Sequence, residues 1–259
     1  MFAWDPQLYS RFLKERTQPA IDLANHIGLS EPRNAIDIGC GPGNSTRVLA
    51  DRYPQMQVTG ADFSEDMLAQ ARANHPELQF MHFDASCDFP SIRGKYDIVF
   101  SNACIQWLPH HERLLPEMMS ALTVGGVLAV QIPVNYDEPI HCIIRDVVHS
   151  TKWCGQLADS RALEMLTDSE YFDILAGQTT DFHLWKTVYM HRLPSHSSIM
   201  DWYRGTGLRP YLDRLNSTDA AAFEQEIFDE VVKAYPVQAN DEIIFRFPRL
   251  FFTAVKQEG

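Results

Sequence analysis

The 259-residue sequence lacks the features of membrane and secreted proteins. No apolar run approaches the ~20 residues that a bilayer-spanning helix needs. Residues 1–5 provide neither the basic start nor the apolar stretch of a signal peptide. The sequence also contains no internal repeat, low-complexity tract or linker. We therefore expect a cytoplasmic protein that does not bind membranes.

Cysteine and positive charge are also scarce. The five cysteines are odd in number and form no C-x-x-C pair, which is typical of reduced thiols in the cytosol. Lys and Arg total 22 against 34 Asp and Glu, a net charge of −12. Nucleic-acid binders need a basic stripe, and none is present. We predict a small-molecule substrate, no nucleic-acid partner and no metal site; the sequence does not specify an oligomeric state. The cysteines are Cys40, Cys87, Cys104, Cys142 and Cys154.

The most informative stretch runs from residue 36 to residue 43. A short apolar run ends in three closely spaced glycines, and a helical pattern follows, which predicts a strand, a tight turn and a helix start. Glycine adopts positive φ and has no side chain to block a ligand. Such a turn brings the backbone close to a bound molecule and points helix N–H groups at it. We predict a nucleotide-like cofactor at Gly39, Cys40, Gly41 and Gly43.

Several cofactor families use a turn of this kind, including NAD, FAD and S-adenosylmethionine. Here the spacing is G-x-G-x-G, with Asn44 where a dinucleotide fingerprint has its third glycine, and Pro42 stiffens the turn. Asp37 precedes the first glycine by two residues. Its carboxylate would repel a pyrophosphate, whereas S-adenosylmethionine brings an ammonium and a sulfonium. The stretch therefore resembles motif I of the class I S-adenosylmethionine-dependent methyltransferases. NAD(P) binding and a turn without a ligand are the alternatives.

The hydrophobic pattern predicts an α/β fold. Strands at about 35–38, 58–62, 78–81, 96–101 and 127–132 alternate with helical segments, which indicates a doubly wound, mostly parallel sheet. Two later strands, 182–190 and 249–255, complete seven, and the resemblance implies that the last is antiparallel. We expect a helical flap at 1–30, a Rossmann-like core at 31–195 and 241–259 with a helical excursion at 135–176, and a helical lid at 196–240.

Polar residues follow the predicted strands at the edge where ligands bind in such sheets. Asp62 ends the second strand, where a carboxylate can accept the two ribose hydroxyls, and Phe63 follows it. Ser64 is expected to cap the next helix. After the third strand, Asp84 and Ala85 are placed to meet the adenine amino group. The fourth strand leads to Asn102, Gln106 and Trp107, and the last two are candidates for contact with the transferred methyl group.

From end to end, the chain resembles the trans-aconitate 2-methyltransferase family of these enzymes. The resemblance implies methyl transfer to a carboxylate of trans-aconitate, giving a monomethyl ester and S-adenosylhomocysteine; related acids such as cis-aconitate and isocitrate are further candidates. One departure is Val134, where we expect glycine. The matching stretches are Trp4–Pro6, Tyr9, Phe12, Glu15–Thr17, Ile36–Ser45, Val58–Asp62, Ser101–Ala103, Gln106–Leu108, Asn135–Pro139, Gly205–Leu212 and Phe247–Phe251.

A carboxylate acceptor is ionised at pH 7, so the reaction needs positioning rather than a general base. An acceptor with up to three negative charges needs cations, preferably arginines, whose planar fork binds carboxylates. For each arginine alone, a surface salt bridge is the alternative. The resemblance further implies that Tyr9 and Arg16 hold the carboxylate of the donor. Candidate substrate-binding residues are Arg209, Arg249, Arg246, His141, Arg145, Tyr211 and Trp107.

Three other functions stay open at this stage. A methyltransferase acting on a quinone or another small natural product would have an apolar pocket without clustered arginines. A module that senses S-adenosylmethionine would bind the donor without turning it over. An NAD(P) oxidoreductase would need a hydride-transfer acid, and the sequence offers no Tyr-x-x-x-Lys motif.

Overall fold

The computed structural model describes residues 13–157, 165–205 and 207–258, without the side chains of Leu13, Lys14 and Arg16. The chain divides into two compact units. Among the described residues, unit 1 holds 13–15, 134–157, 188–205 and 207–248, and unit 2 holds 16–133, 165–187 and 249–258. The predicted lid, 196–240, falls within unit 1, and the predicted helical excursion, 135–176, is divided between the units. The function of residues 196–240 as a lid stays a prediction.

The described residues contain seven strands, which form one sheet in the order β3-β2-β1-β4-β5-β7-β6. The first five are mutually parallel, and β7 is antiparallel to β5. This confirms the predicted doubly wound sheet and its antiparallel last strand. The strands are β1 (Asn34–Ile38), β2 (Gln57–Asp62), β3 (Gln79–His82), β4 (Tyr96–Asn102), β5 (Leu122–Pro133), β6 (Phe182–Leu193) and β7 (Ile243–Val255).

Helices connect the strands, as the alternating pattern predicts. Ser64 caps α3, because its side chain accepts a hydrogen bond from the backbone N–H of Met67. Pro19 lies inside α1. The helices are α1 (Leu13–Asn25), α2 (Asn44–Arg52), α3 (Glu65–Asn74), α4 (His111–Ser120), α5 (Pro139–Val148), α6 (Cys154–Leu157), α7 (Asp168–Ala176), α8 (His196–Arg204), α9 (Arg209–Leu212) and α10 (Ser217–Ala234), with 3-10 turns at Phe89–Ile92 and Ile105–Trp107.

The strand register in unit 2 brings the predicted cofactor residues to one edge. Asp37 on β1 pairs with Gly60 on β2 and with Phe100 on β4. On the other side of β4, Asn102 pairs with Gln131 on β5. The carboxyl ends of these parallel strands therefore share one edge of the sheet, the position where ligands bind in open α/β sheets.

Unit 1 has a hydrophobic core of its own. Helices α5, α8 and α10 contribute apolar faces with helical spacing, such as Ile140 and Ile144 on α5. Trp153 is buried against Phe223 of α10, and its indole N–H donates to Glu226 over 2.8 Å. The buried aromatic side chains of this core and their hydrogen bonds make unit 1 a packed body.

Candidate active site

The glycine turn between β1 and α2 uses its own backbone N–H groups. Gly39 and Cys40 both donate to the carbonyl of Ala61, over 2.7 and 3.1 Å. Gly41 donates to Asp62 Oδ2 over 2.9 Å, and Gly43 donates to the carbonyl of Cys40 over 3.0 Å. Pro42 has no N–H. The N–H groups of residues 39–43 are therefore taken by β2 and by the turn itself, and the expected contact of the helix N–H groups with a ligand stays a prediction.

Two glycines in the turn, Gly39 and Gly41, differ in the space around them. At Gly39, with φ of +72°, a Cβ would lie 2.0 Å from the Cys104 sulfur, so only glycine allows the loop after β4 to approach. At Gly41, with φ of +52°, a Cβ would have no atom within 4 Å. The space above Gly41 is therefore open to a ligand. Cys40 is buried beside it, and burial raises the pKa of its thiol, so it stays a neutral thiol.

Asp37 supports the turn from beneath. Its side chain is 0% exposed, and its Oδ2 accepts hydrogen bonds from Ser45 Oγ over 2.6 Å and Thr46 Oγ1 over 2.7 Å. Its Oδ1 has no hydrogen-bond partner among the described residues. Burial raises the pKa of Asp37 to about 6, although the two hydroxyls oppose this. Asp37 therefore fixes the start of α2. Ser45 and Thr46 were not among the predicted site residues.

Asp62 joins the turn to the end of β2. Besides Gly41, its carboxylate accepts the backbone N–H of Ser64 over 2.9 Å. A carboxylate offers about four acceptor positions, so two remain for hydroxyl donors. The next side chain, Phe63, is 67% exposed, with its ring centroid 5.5 Å from that of His82. The structure thus places a carboxylate and an exposed aromatic ring side by side, and their contact with the donor stays a prediction.

The loop after β3 contains Asp84 and Ala85. Asp84 Oδ1 accepts the backbone N–H and the hydroxyl of Ser86, over 2.9 and 2.6 Å. Hydrogen bonding from Ser86 lowers the pKa of Asp84. The backbone N–H of Asp84 donates to Asp88 over 2.8 Å. Asp84 is thus an ionised acceptor in an ordered loop, and contact with adenine stays a prediction.

The loop after β4 is held by a buried histidine. His111 Nε2 lies 2.8 Å from the carbonyl oxygen of Ile105 and 3.0 Å from that of Leu108, and its Nδ1 lies 2.6 Å from the Tyr171 hydroxyl. The bonds from Nε2 hold the residues on either side of Gln106 and Trp107, the two candidates for contact with the transferred methyl group. Gln106 is buried, with Nε2 donating to the Ala103 carbonyl over 2.7 Å, whereas Trp107 is 55% exposed.

Gln131 and Arg249 form a second feature at this edge of the sheet. Both side chains are buried, and Arg249 Nη1 donates to Gln131 Oε1 over 3.1 Å. Arg249 was among the predicted site residues, and Gln131 was not. A signal was available, since a glutamine inside the apolar run Val127–Ile132 is unusual in a buried strand.

Unit 1 contains a separate polar cluster. The Tyr203 hydroxyl lies 3.1 Å from Asn135 Nδ2, which donates to it, and 2.9 Å from His141 Nε2. Burial, with Arg145 nearby, lowers the pKa of His141 to about 4. The ring is therefore neutral at pH 7 and adds no positive charge, and substrate binding by His141 stays a prediction. Arg145 stacks over the Tyr136 ring, 4.5 Å from its centroid.

The remaining candidates have local partners or lie outside the described residues. Arg209 is 41% exposed, 3.6 Å from Asp213, and Arg246 lies 3.8 Å from Glu138. Tyr211 packs beside Phe223 in the core of unit 1. Tyr9 and the side chain of Arg16 lie outside the described residues.

Comparisons with known proteins identify the family. A family model for a methyltransferase domain matches residues 35–126. The trans-aconitate 2-methyltransferases of Rhodopseudomonas palustris and Methylobacterium radiotolerans are each 42% identical to this chain, over 99% of it and 100% and 99% of their own lengths. The chain belongs to the trans-aconitate 2-methyltransferase family. This confirms the predicted enzyme class and its methyl donor, S-adenosylmethionine.

Solved structures share the fold of the chain at lower identity. The YcgJ protein of Bacillus subtilis has a TM-score of 0.63 and 16% identity, covering 93% of this chain and 100% of its own. A Haemonchus contortus phosphoethanolamine N-methyltransferase, bound to S-adenosylhomocysteine, has a TM-score of 0.57 and 17% identity, covering 93% and 53%. These similarities support the Rossmann-like methyltransferase fold.

The turn of this methyltransferase suits its donor better than a dinucleotide. The N–H groups of Gly39, Cys40, Gly41 and Gly43 all have acceptors within the chain, so none of them is available to donate a hydrogen bond to a pyrophosphate. The Asp62 carboxylate next to them would repel a phosphate. The open space at Gly41 can hold a ligand, and that ligand does not need to be negatively charged.

The described residues contain no group of three or more His, Cys, Asp or Glu side chains arranged to hold a metal ion. No helix in the same part of the chain combines the length and apolar character needed to cross a membrane.

Proposed function

We propose that this chain transfers a methyl group from S-adenosylmethionine to a carboxylate of trans-aconitate, producing a monomethyl ester and S-adenosylhomocysteine. The observation that carries the proposal is the 42% identity to trans-aconitate 2-methyltransferases over nearly the whole chain. The turn adds physical support, because its carboxylates and occupied N–H groups favour a cationic donor.

The proposed donor site is the edge of unit 2. When bound, S-adenosylmethionine supplies a methyl group already activated by a positively charged sulfur. Asp62 accepts the ribose hydroxyls with the acceptor positions that Gly41 and Ser64 leave free. Phe63 covers an apolar face of the base, and Asp84 accepts from its amino group. Asn102 ends β4 at the same edge.

The proposed acceptor site needs no general base, because the acceptor carboxylate is already ionised at pH 7. Catalysis then depends on holding that oxygen behind the methyl carbon. Arg249 is the arginine of unit 2 that we assign to this task. A single charge contact at about 4 Å is worth about 4 kcal/mol at an effective dielectric of about 20, before desolvation. Gln106 and Trp107, held by the His111 bonds, border the reacting group.

The first test is turnover by the purified protein. With S-adenosylmethionine and trans-aconitate, mass spectrometry should detect a monomethyl ester and an equal amount of S-adenosylhomocysteine. A panel of polycarboxylic acids with labelled donor then ranks the acceptors. Methylation of a quinol or phenol alone would contradict the acceptor, and donor binding without any product would indicate a sensor.

The second test is Gly41→Ala, with Gly94→Ala as a matched control. Both glycines have positive φ, +52° and +64°, and at both a Cβ would meet no atom within 4 Å. Each substitution therefore carries the same backbone penalty, about 1–2 kcal/mol. Only Gly41→Ala should weaken S-adenosylhomocysteine binding in calorimetry, by about tenfold or more, since its methyl group enters the proposed donor space. Equal affinities in the two variants would remove the turn from the donor site.

A further inference from the structure

Gln131 carries an unused hydrogen-bond donor deep in unit 2. The side chain is 0% exposed, and its Oε1 accepts from Arg249 Nη1 over 3.1 Å. A guanidinium only donates, so the atom that faces it must be the amide oxygen. The other end of the amide is therefore an NH2 group. That Nε2 has no hydrogen-bond partner among the described residues.

Other unused polar atoms lie on the neighbouring strand and loop. Asn102 is the register partner of Gln131 on β4, and its Oδ1 is buried without a partner among the described residues. Gln106 Oε1 is also buried without a hydrogen-bond partner among the described residues. Buried polar atoms in native proteins are nearly always bonded. Several unbonded ones at the neighbouring ends of β4 and β5 and in the loop after β4 indicate a bound polar molecule.

The backbone at this position is strained. Ala103 has φ of +54°, a value that non-glycine residues rarely adopt. Its N–H donates to the backbone carbonyl of Gln131 over 2.8 Å, which ties the loop to β5. Such strain persists where the surroundings enforce it, and it is common at ligand sites. The strained Ala103 and the unused Nε2 of Gln131 therefore belong to the same site.

We propose that Gln131 is an acceptor-binding residue, whose Nε2 hydrogen-bonds one carboxylate of the acid while its Oε1 orients Arg249. The two side chains together present only donors, the chemistry that a carboxylate requires. This inference rests on the proposed function. The amino-acid part of the methyl donor also ends in a carboxylate, so the experiment must separate the two sources.

The test compares Gln131→Glu with Gln131→Met in the full-length protein. Glutamate keeps the shape and the bond to Arg249 but places a negative charge where the acceptor carboxylate would lie. Methionine keeps the approximate volume and removes both polar atoms. The matched control is Gln55→Glu, the same change at an exposed turn residue of unit 2. Thermal melts show whether each variant is folded.

We expect Gln131→Glu to raise the KM for trans-aconitate at least thirtyfold and Gln131→Met about tenfold. The Kd of S-adenosylhomocysteine should stay within twofold in both variants, and the control should change neither quantity. Calorimetry with tricarballylate, a saturated tricarboxylate, in the presence of S-adenosylhomocysteine gives a readout without turnover. Its affinity should fall in the same order.

Three results separate this inference from the proposed function. Weaker S-adenosylhomocysteine binding with unchanged KM would assign the pair to the donor and overturn the proposal. Folded variants with unchanged KM and unchanged tricarballylate affinity would reduce Gln131 to a structural role and overturn it as well. If the wild-type protein fails to methylate trans-aconitate but tricarballylate binding still depends on Gln131, the proposed acceptor fails and the carboxylate site stands.

Discussion

Replacing Asp37 by asparagine should make the protein more stable at neutral pH. The asparagine side chain would keep an oxygen to accept the Ser45 and Thr46 hydroxyls, which now bond Asp37 over 2.6 and 2.7 Å. It would remove a buried charge that no cation among the described residues compensates. The substitution therefore separates the structural task of this residue from the cost of ionising it in the core.

The size of the effect follows from the pKa of Asp37. Burial raises that pKa from 3.8 to about 6, which corresponds to about 3 kcal/mol. The folded state then binds the proton more tightly than the unfolded chain. The stability that the protonated carboxyl contributes is fully present below pH 3.8 and is lost as the pH rises to about 6. Asparagine does not titrate, so Asp37→Asn should gain about 2 kcal/mol over the wild type between pH 4.5 and 7.5.

The assay is the melting temperature of both proteins across this pH range. For a chain of this size, the gain corresponds to about 4–8 °C. Subtracting the wild-type curve removes the titration of the groups that both proteins share. A difference in Tm that does not change between pH 4.5 and 7.5 would refute the reasoning, because it would show that Asp37 ionises in the folded state as easily as in the unfolded chain.

Asp97 provides a control of opposite sign in the same unit. Burial raises its pKa, but the N–H groups of Arg33 and Asn34 and the Thr123 hydroxyl outweigh burial, and the net shift is downward. Its stabilising contribution is present above pH 3.8 and is lost as the pH falls through the lowered pKa. Asp97→Asn should therefore be less stable than the wild type at pH 7.5, with a deficit that shrinks on acidification.

Two further substitutions test the loop after β4 and the acceptor arginines. Tyr171→Phe leaves His111 Nδ1 without the hydroxyl it now bonds. Urea denaturation should therefore show a loss of about 1–3 kcal/mol in the free energy of unfolding. An unchanged midpoint would mean that this bond is dispensable. Among the described residues, Arg209→Ala breaks an exposed pair with Asp213, worth under about 1 kcal/mol, so a large rise in acceptor KM would come from substrate contact. An equal loss of donor affinity would exclude that role.

The elements of the fold could be predicted because their signals are local. Strand and helix periods, the glycine turn and the Ser64 cap each involve neighbours in sequence. The doubly wound, mostly parallel sheet followed from the alternation of strands and helices, and Asp62 followed from its position at the end of the second strand. These features were therefore predictable from the sequence, with boundaries shifted by a few residues.

The charge states and hydrogen-bond partners in the site could not be predicted, because they depend on residues far apart in the chain. The lowered pKa of His141, for example, comes from burial and from the nearby Arg145. Gln131 meets Arg249 across 118 positions, and Gly41 meets Asp62 across 21. No pattern in the sequence states which N–H groups of a turn will have acceptors after folding, so the internal hydrogen bonds of residues 39–43 became known only from the structure.

The Asp62 carboxylate contributes both to folding and to the choice of donor, and the reason is geometric. The bond from Gly41 to Asp62 closes the turn by taking an N–H that would otherwise face a ligand. A pyrophosphate would have to break this bond and approach a charge of its own sign, at two costs that add. A cationic donor meets neither cost, and the charge that repels phosphate attracts it. The same hydrogen bond therefore closes the turn and sets its preference for the donor.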